Sequence, residues 1–248
     1  RQEKIRKHLV SKLYKREIPT ELTLSPSRLE RFSRCPFSHF VNYGLHPDES
    51  RIFEIAGREI GDVYHQCFLK LSEKLSVPGM DITDPRSPWM NITEEQCREL
   101  IDSFIDEAAL EYREGVLSQG EEERYRTRRM KKVCGDAAWA LVEHVRTGRI
   151  RKIFFESEFG RAVGRQFPPI EVKLGEETVY IEGKIDRVDI LEGKDGDPNR
   201  YVKIIDYKSG KERFDIEEAK AGWRLQLMLY LRAALGASSS GSRDDINR

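Results

Sequence analysis

The stretch YIEGKIDRVDILEGKDGDPNRYVKIIDYKSG, Tyr180 to Gly210, decides how this chain is read. Its two ends, Tyr180–Leu191 and Tyr201–Gly210, are strand-like, and the run KDGDPN between them consists of turn formers. The pattern predicts two antiparallel strands joined as a hairpin. Residues i and i+2 of a strand share a face. Asp206 and Lys208 therefore point the same way, at the end of the apolar run Val202, Ile204 and Ile205. Asp186 lies in the middle of the partner strand, flanked by Ile185 and Val188. Two carboxylates and one ammonium brought together in this way describe a hard-cation site with a lysine beside it. That is the equipment of metal-assisted phosphodiester hydrolysis. A magnesium or manganese ion would take oxygen ligands from Asp186 and Asp206, with the Tyr207 carbonyl and water supplying others. Lys208 would position the metal-bound water and offset charge in the transition state. The plainer alternative is an amphipathic hairpin whose charges face solvent.

Before the hairpin the period is helical. Ser25 and Pro26 form an N-cap and N1 pair that opens a helix through about Arg34. Ala56, Ile60, Tyr64, Cys67, Leu71 and Leu75 give a buried stripe to a helix over about Phe53–Leu75. Thr93 and Gln96 make a capping box, followed by Cys97, Leu100, Ile101, Phe104 and Ala108 at helical spacing. A further helix runs from about Glu121 to Thr147, with Gly148 as its C-cap. Alternation then takes over, first at Ile153–Phe159 and again at Ile170–Leu174. A last helix carrying WRLQLMLYLRAAL ends near Leu235. The expected class is α+β: a central mixed sheet of about four or five strands flanked by helices, with an N-terminal helical part. Residues 1–24 read as a linker or incoming helix, 25–235 as the domain, and the Gly/Ser-rich 236–248 as a disordered tail.

Composition narrows the classes. Lys+Arg and Asp+Glu number 43 each, so no global field attracts nucleic acid and a binding surface must be a local patch. The cysteines Cys35, Cys67, Cys97 and Cys134 form no CxxC, and reduced cytoplasmic thiols are expected rather than a disulfide framework. No apolar run reaches membrane-span length and no signal peptide is legible. The chain begins with Arg1, and is expected to be a piece of something longer. It contains no Walker A sequence, so it is not expected to be an ATP-driven motor itself.

GKIDRVD, then IDYKSG, then LQLMLY in a helix resemble the RecB-type branch of the PD-(D/E)xK nuclease superfamily. Within that branch, SPSRLERFSRCPFSHFVNYGL (residues 25–45) and GDVYHQCF (residues 61–68) are similar to AddB-type nuclease domains. The resemblance covers about residues 24–235 with the motifs in the right order. It implies the superfamily's restriction-endonuclease-like core. It implies that His65 is a helix-borne metal ligand, Asp186 and Asp206 the acidic ligands, and Lys208 the catalytic lysine. Gln226 and Tyr230 match the QxxxY pair, which would orient Lys208 and contact the DNA backbone. Core packing of Leu225 and Leu229 explains the same helix without that role, and a lone helical histidine is often a packed residue.

The resemblance further implies an exonuclease acting on single strands delivered by a helicase, beside an AddA-like subunit, in double-strand-break processing and recombinational repair. In such nucleases the cysteine matching Cys35 joins three C-terminal cysteines around a four-iron cluster. Those partners are missing after Cys134, so a cluster is expected only in the intact protein. Cys67, Cys97 and Cys134 read as small core residues. Rival readings are a stand-alone or CRISPR-adaptation iron–sulfur exonuclease of the same superfamily, and a non-catalytic DNA-binding or subunit-docking module. Two weaker features are the basic run RYRTRRMKK, Arg124–Lys132, which could track DNA or simply face solvent, and Glu158, a further acidic candidate ahead of the hairpin.

Overall fold

The computed structural model describes residue 13 and residues 21–47, 57–111, 121–194, 197–208, 210 and 213–236. The expected linker lies mostly outside these residues, and so do nearly all of the tail, the helix start at 53–56 and the turn residues Asp195 and Gly196. The chain divides into two units. One comprises Arg1–Phe53, Ser157–Ile185 and Glu212–Arg248, and the other Glu54–Glu156 and Asp186–Lys211. Among the described residues no helix is long and apolar enough to cross a membrane.

The class is α+β, as expected. Among the described residues, however, the strands form two three-stranded sheets rather than one sheet of four or five. In the first unit, β1 (Glu21–Leu24) pairs in parallel with β4 (Glu177–Ile181), which pairs antiparallel with β3 (Ile170–Leu174). The second sheet has the order β2 (Ile150–Phe159), β5 (Gly183–Glu192), β6 (Arg200–Ile205). The stretch read as one strand, Tyr180–Leu191, is therefore two. It breaks at Glu182, whose N–H donates to the Leu24 carbonyl at 3.0 Å while its carboxylate accepts from Arg161 Nε at 2.9 Å. At Gly183 a Cβ would meet the Phe159 ring at 3.0 Å, so the close approach there requires glycine.

The first unit also holds α1 (Pro26–Arg34), α2 (Pro36–Phe40) with a π-turn at Val41–Leu45, α7 (Ile216–Lys220) and α8 (Gln226–Gly236). Ser25 caps α1 by accepting from the Arg28 N–H at 3.3 Å. Glu30 of α1 accepts from the N–H groups of Leu225 and Gln226 at 2.7 and 2.9 Å, which satisfies orphan donors at the start of α8.

The second unit holds α3 (Gly57–Leu75), α4 (Pro88–Asn91), α5 (Glu94–Glu111) and α6 (Glu121–Thr147). The capping box at Thr93 is present in both directions, Thr93 N–H to Gln96 Oε1 at 3.0 Å and Gln96 N–H to Thr93 Oγ1 at 3.2 Å. Leu71, Trp89, Cys97, Ile101, Ile105, Cys134, Ala138, Val142 and Val145 close into the core. Cys67, Cys97 and Cys134 are buried there as small core residues, whereas Cys35 of the first unit is exposed. Truncating a side chain as enclosed as Leu71 to alanine costs about 2–5 kcal/mol by the usual cavity penalty. This core fixes where α3 presents His65 and where β5 and β6 end.

Candidate metal centre

Three segments of the second unit meet at one point. On α3, Cys67, Phe68, Leu71 and Leu75 face the core and leave His65 at the margin, with about a third of its side chain exposed. On β5, the alternation that buries Arg187 and Asp189 turns Asp186 to the other face. Just past β6 the chain leaves the ladder, and Asp206, Tyr207 and Lys208 follow in sequence. The pairing places Arg187 opposite Ile205, so the chain beyond β6 passes beside Asp186.

The contacts are close. The Tyr207 N–H donates to Asp186 Oδ2 at 2.7 Å. His65 Nε2 stands 2.9 Å from the Tyr207 carbonyl oxygen, and its Nδ1 stands 3.5 Å from Asp186 Oδ1. The Tyr207 ring anchors the turn by packing on Phe68, with centroids 4.7 Å apart, and edge-on to His65 at 5.8 Å. Lys208 Nζ pairs with Asp206 Oδ2 at 2.7 Å. Cation-ligating atoms of His65, Asp186 and Glu156 all lie within 4.8 Å of one another.

These side chains perturb one another. The hydrogen bond to Asp186 raises the His65 pKa above its ordinary value, against burial, which lowers it. Burial raises the Asp206 pKa, the neighbouring Asp186 charge adds to the rise, and Lys208 opposes it. Burial pushes the Tyr207 phenol up to about 12. Perturbed titrations clustered at one point are characteristic of chemical sites.

The donor set suits a hard divalent ion. Adjacent ligands of an octahedral ion held at about 2.1 Å stand about 3 Å apart. The 2.9 Å between His65 Nε2 and the Tyr207 oxygen is a hydrogen-bond distance and is also close to that edge. The oxygen-rich remainder of the set is what magnesium or manganese prefers.

Two acidic residues precede the hairpin on β2, and the structure separates them. Glu158 is ion-paired with Arg165 in the first unit. Glu156, which sequence reasoning passed over, belongs to the second unit and joins the group of His65 and Asp186. Strand alternation puts Glu156 and Glu158 on one face, so spacing alone does not choose between them. Glu156 also has φ +47°, a left-handed conformation rare for a residue with a side chain. Gln226 and Tyr230 belong to the first unit. There Gln226 Nε2 donates to the Tyr230 hydroxyl at 2.8 Å, and the Tyr230 ring meets Phe159 edge-on at 5.9 Å.

A family model of the PD-(D/E)XK nuclease superfamily matches residues 23–245. Among curated proteins, the chain is 36% identical over 224 residues to an ATP-dependent helicase/deoxyribonuclease subunit from Alkaliphilus oremlandii, covering 90% of this chain and 18% of that protein. The counterpart from Clostridium tetani, which carries the same name, is 31% identical over 239 residues, 96% of this chain and 19% of that protein. The one from Clostridium novyi is 32% identical over 245 residues, 98% and 20%. The chain thus spans about a fifth of the length of these relatives.

Proposed function

This chain belongs to the PD-(D/E)XK nuclease superfamily, and on that premise we propose that it hydrolyses DNA phosphodiester bonds with a magnesium or manganese ion. The observation that carries the reading is the convergence of His65, Asp186 and the Tyr207 carbonyl beside the Asp206–Lys208 pair. His65, Asp186, Asp206 and the Tyr207 carbonyl would hold the ion, with Glu156 as a further carboxylate. When bound, the ion supplies a water of lowered pKa and charge compensation at the phosphoryl oxygen.

The side chains do the rest. The Tyr207 N–H bond fixes the Asp186 carboxylate, so its lone pairs need no reorganisation during the reaction. Asp206 holds the Lys208 ammonium within 2.7 Å, and from there it would position the attacking water and offset the charge developing on phosphorus. The His65 ring is steadied by Asp186 at Nδ1, and ligation through Nε2 would replace its contact with the Tyr207 carbonyl. Gln226 and Tyr230 would contact the DNA backbone, and their mutual hydrogen bond would keep both side chains in one rotamer.

The names of the relatives support a place in a helicase–nuclease complex. There the domain, over residues 25–235, would act in the cytoplasm on single strands delivered by an AddA-like partner during break processing. Cys35 would hold an iron–sulfur cluster in the intact protein.

The test is cleavage of an end-labelled single-stranded oligonucleotide with magnesium or manganese, alone and with the helicase partner and ATP. Cleavage by the unaltered protein and its loss in Lys208→Ala are expected. Full activity of Lys208→Ala overturns the catalytic assignment and favours a DNA-binding module.

A further inference from the structure

The basic run RYRTRRMKK lies at the start of α6, and the helix sorts its cations by face. Arg126 pairs with Glu122 at 2.6 Å and Lys131 with Asp106 at 2.6 Å, while Met130 and Cys134 turn into the core. Arg124, Arg128, Arg129 and Lys132 are exposed, and none has an ion-pair partner among the described residues. Tyr125 stands with them, 60% exposed.

The spacing of these residues is regular. Arg124, Arg128 and Lys132 recur every four residues, which at 1.5 Å of rise per residue is about 6 Å per step. That step is of the order of the distance between successive phosphates along an extended nucleic-acid strand. Tyr125 and Arg129 form a second row beside them, also at i, i+4. The formal net charge of the chain is +0, so this row is a local concentration of positive charge rather than a sample of a basic protein. Glu121 and Glu122 precede it, Glu121 and Asp106 line one cavity with Arg124 and Arg128, and Asp136, which is engaged by Arg98 at 2.8 Å, follows it.

We propose that this face of α6 is a docking track for the backbone of single-stranded DNA, with Arg124, Arg128 and Lys132 each meeting a phosphate and Tyr125 stacking on a base. The choice of DNA rests on the nuclease reading above. The aromatic within the row favours nucleic acid over an acidic protein surface, because a base offers a π-face and a carboxylate does not.

The experiment is a fluorescence-anisotropy titration of labelled oligo-dT with the chain in EDTA, where no turnover occurs, at several salt concentrations. The triple variant Arg124→Gln/Arg128→Gln/Lys132→Gln should bind roughly tenfold or more weakly. Its slope of log affinity against log salt should be shallower by about 2, since each single-strand phosphate contact contributes about 0.7. Tyr125→Ala should lose about fivefold or more with the slope unchanged. A control, Arg86→Gln/Lys173→Gln/Lys220→Gln, removes the same charge elsewhere and should keep the unaltered slope. Circular dichroism verifies that the variants are folded.

An unchanged slope in the α6 variant, an equal loss in the control, or no measurable binding by the unaltered chain overturns the proposal. So does a variant that keeps its DNA affinity but loses the helicase partner, which would assign the face to an acidic protein surface. The nuclease reading fails separately: binding through α6 without cleavage in magnesium or manganese would refute it and leave the track standing.

Discussion

Asp186 and Asp189 lie three residues apart on β5, and the two faces of that strand treat them differently. Asp189 is fully buried and accepts two hydrogen bonds from the equally buried Arg187, at 2.6 and 3.0 Å. Trp89 and Phe155 flank the guanidinium at 6.0 and 5.8 Å. Across the ladder Asp189 faces Lys203, and His144 Nε2 stands 3.7 Å away. Asp186 looks the other way, toward a histidine, a carbonyl and a second carboxylate with a lysine. A carboxylate locked to a guanidinium has its lone pairs committed, whereas one beside like-charged and neutral donors still needs a cation. The same residue type is thus structural on one face and, in the proposed site, chemical on the other, and the difference lies in the partners the fold brings.

Breaking the chemical face should give the largest change. Asp206→Ala and Lys208→Ala are each expected to lower the cleavage rate about a thousandfold, close to 4 kcal/mol of transition-state stabilisation. Their urea midpoints should stay near that of the unaltered protein, because relieving crowded charge at a site rarely destabilises. A large loss of stability would place them on the structural side of the comparison.

The mirror experiment is Asp189→Ala. Removing one partner of a fully buried pair leaves Arg187 uncompensated and should cost about 3–5 kcal/mol in equilibrium unfolding. Asp186→Ala should cost less, about 1–3 kcal/mol, the penalty for leaving the part-buried Tyr207 N–H without its acceptor. Equal costs would erase the distinction between the two faces.

Glu156 sharpens the comparison at the backbone. Glu156→Gly should relieve the left-handed strain and stabilise the fold by about 1 kcal/mol. The same change should weaken manganese binding, read by calorimetry, about tenfold, in line with the loss of a supporting carboxylate. Weakened manganese binding without a gain in stability would show that φ +47° carries no strain here.

The smallest effect belongs to Glu158→Gln. With its carboxylate engaged by Arg165, manganese affinity should change less than about twofold, as for surface substitutions in general. A loss matching that of a Glu156 variant would reverse the assignment of the two residues.

Much of this was legible beforehand because it depends on local spacing. The i, i+2 spacing in IDYK brings Lys208 to Asp206, although β6 ends at Ile205 before both, and a period of 3.6 places Cys67, Leu71 and Leu75 in the core with His65 beside that stripe. Capping at Ser25 and Thr93 is written in three or four consecutive residues, and the structure has both. The QxxxY pair is bonded as an i, i+4 spacing allows.

Tertiary structure alone decided the remainder. The split of Tyr180–Leu191 into strands of two sheets depends on Leu24 and Arg161, which are distant in sequence from Glu182. Likewise Arg165 claims Glu158, and the backbone at Glu156 adopts a conformation that no propensity favours. Helix stripes, strand faces and caps follow from stereochemistry within a few residues, so sequence by itself determined them. Which of two like carboxylates meets a histidine and which meets an arginine depends on the backbone path and on long-range packing, and only the folded chain sets those.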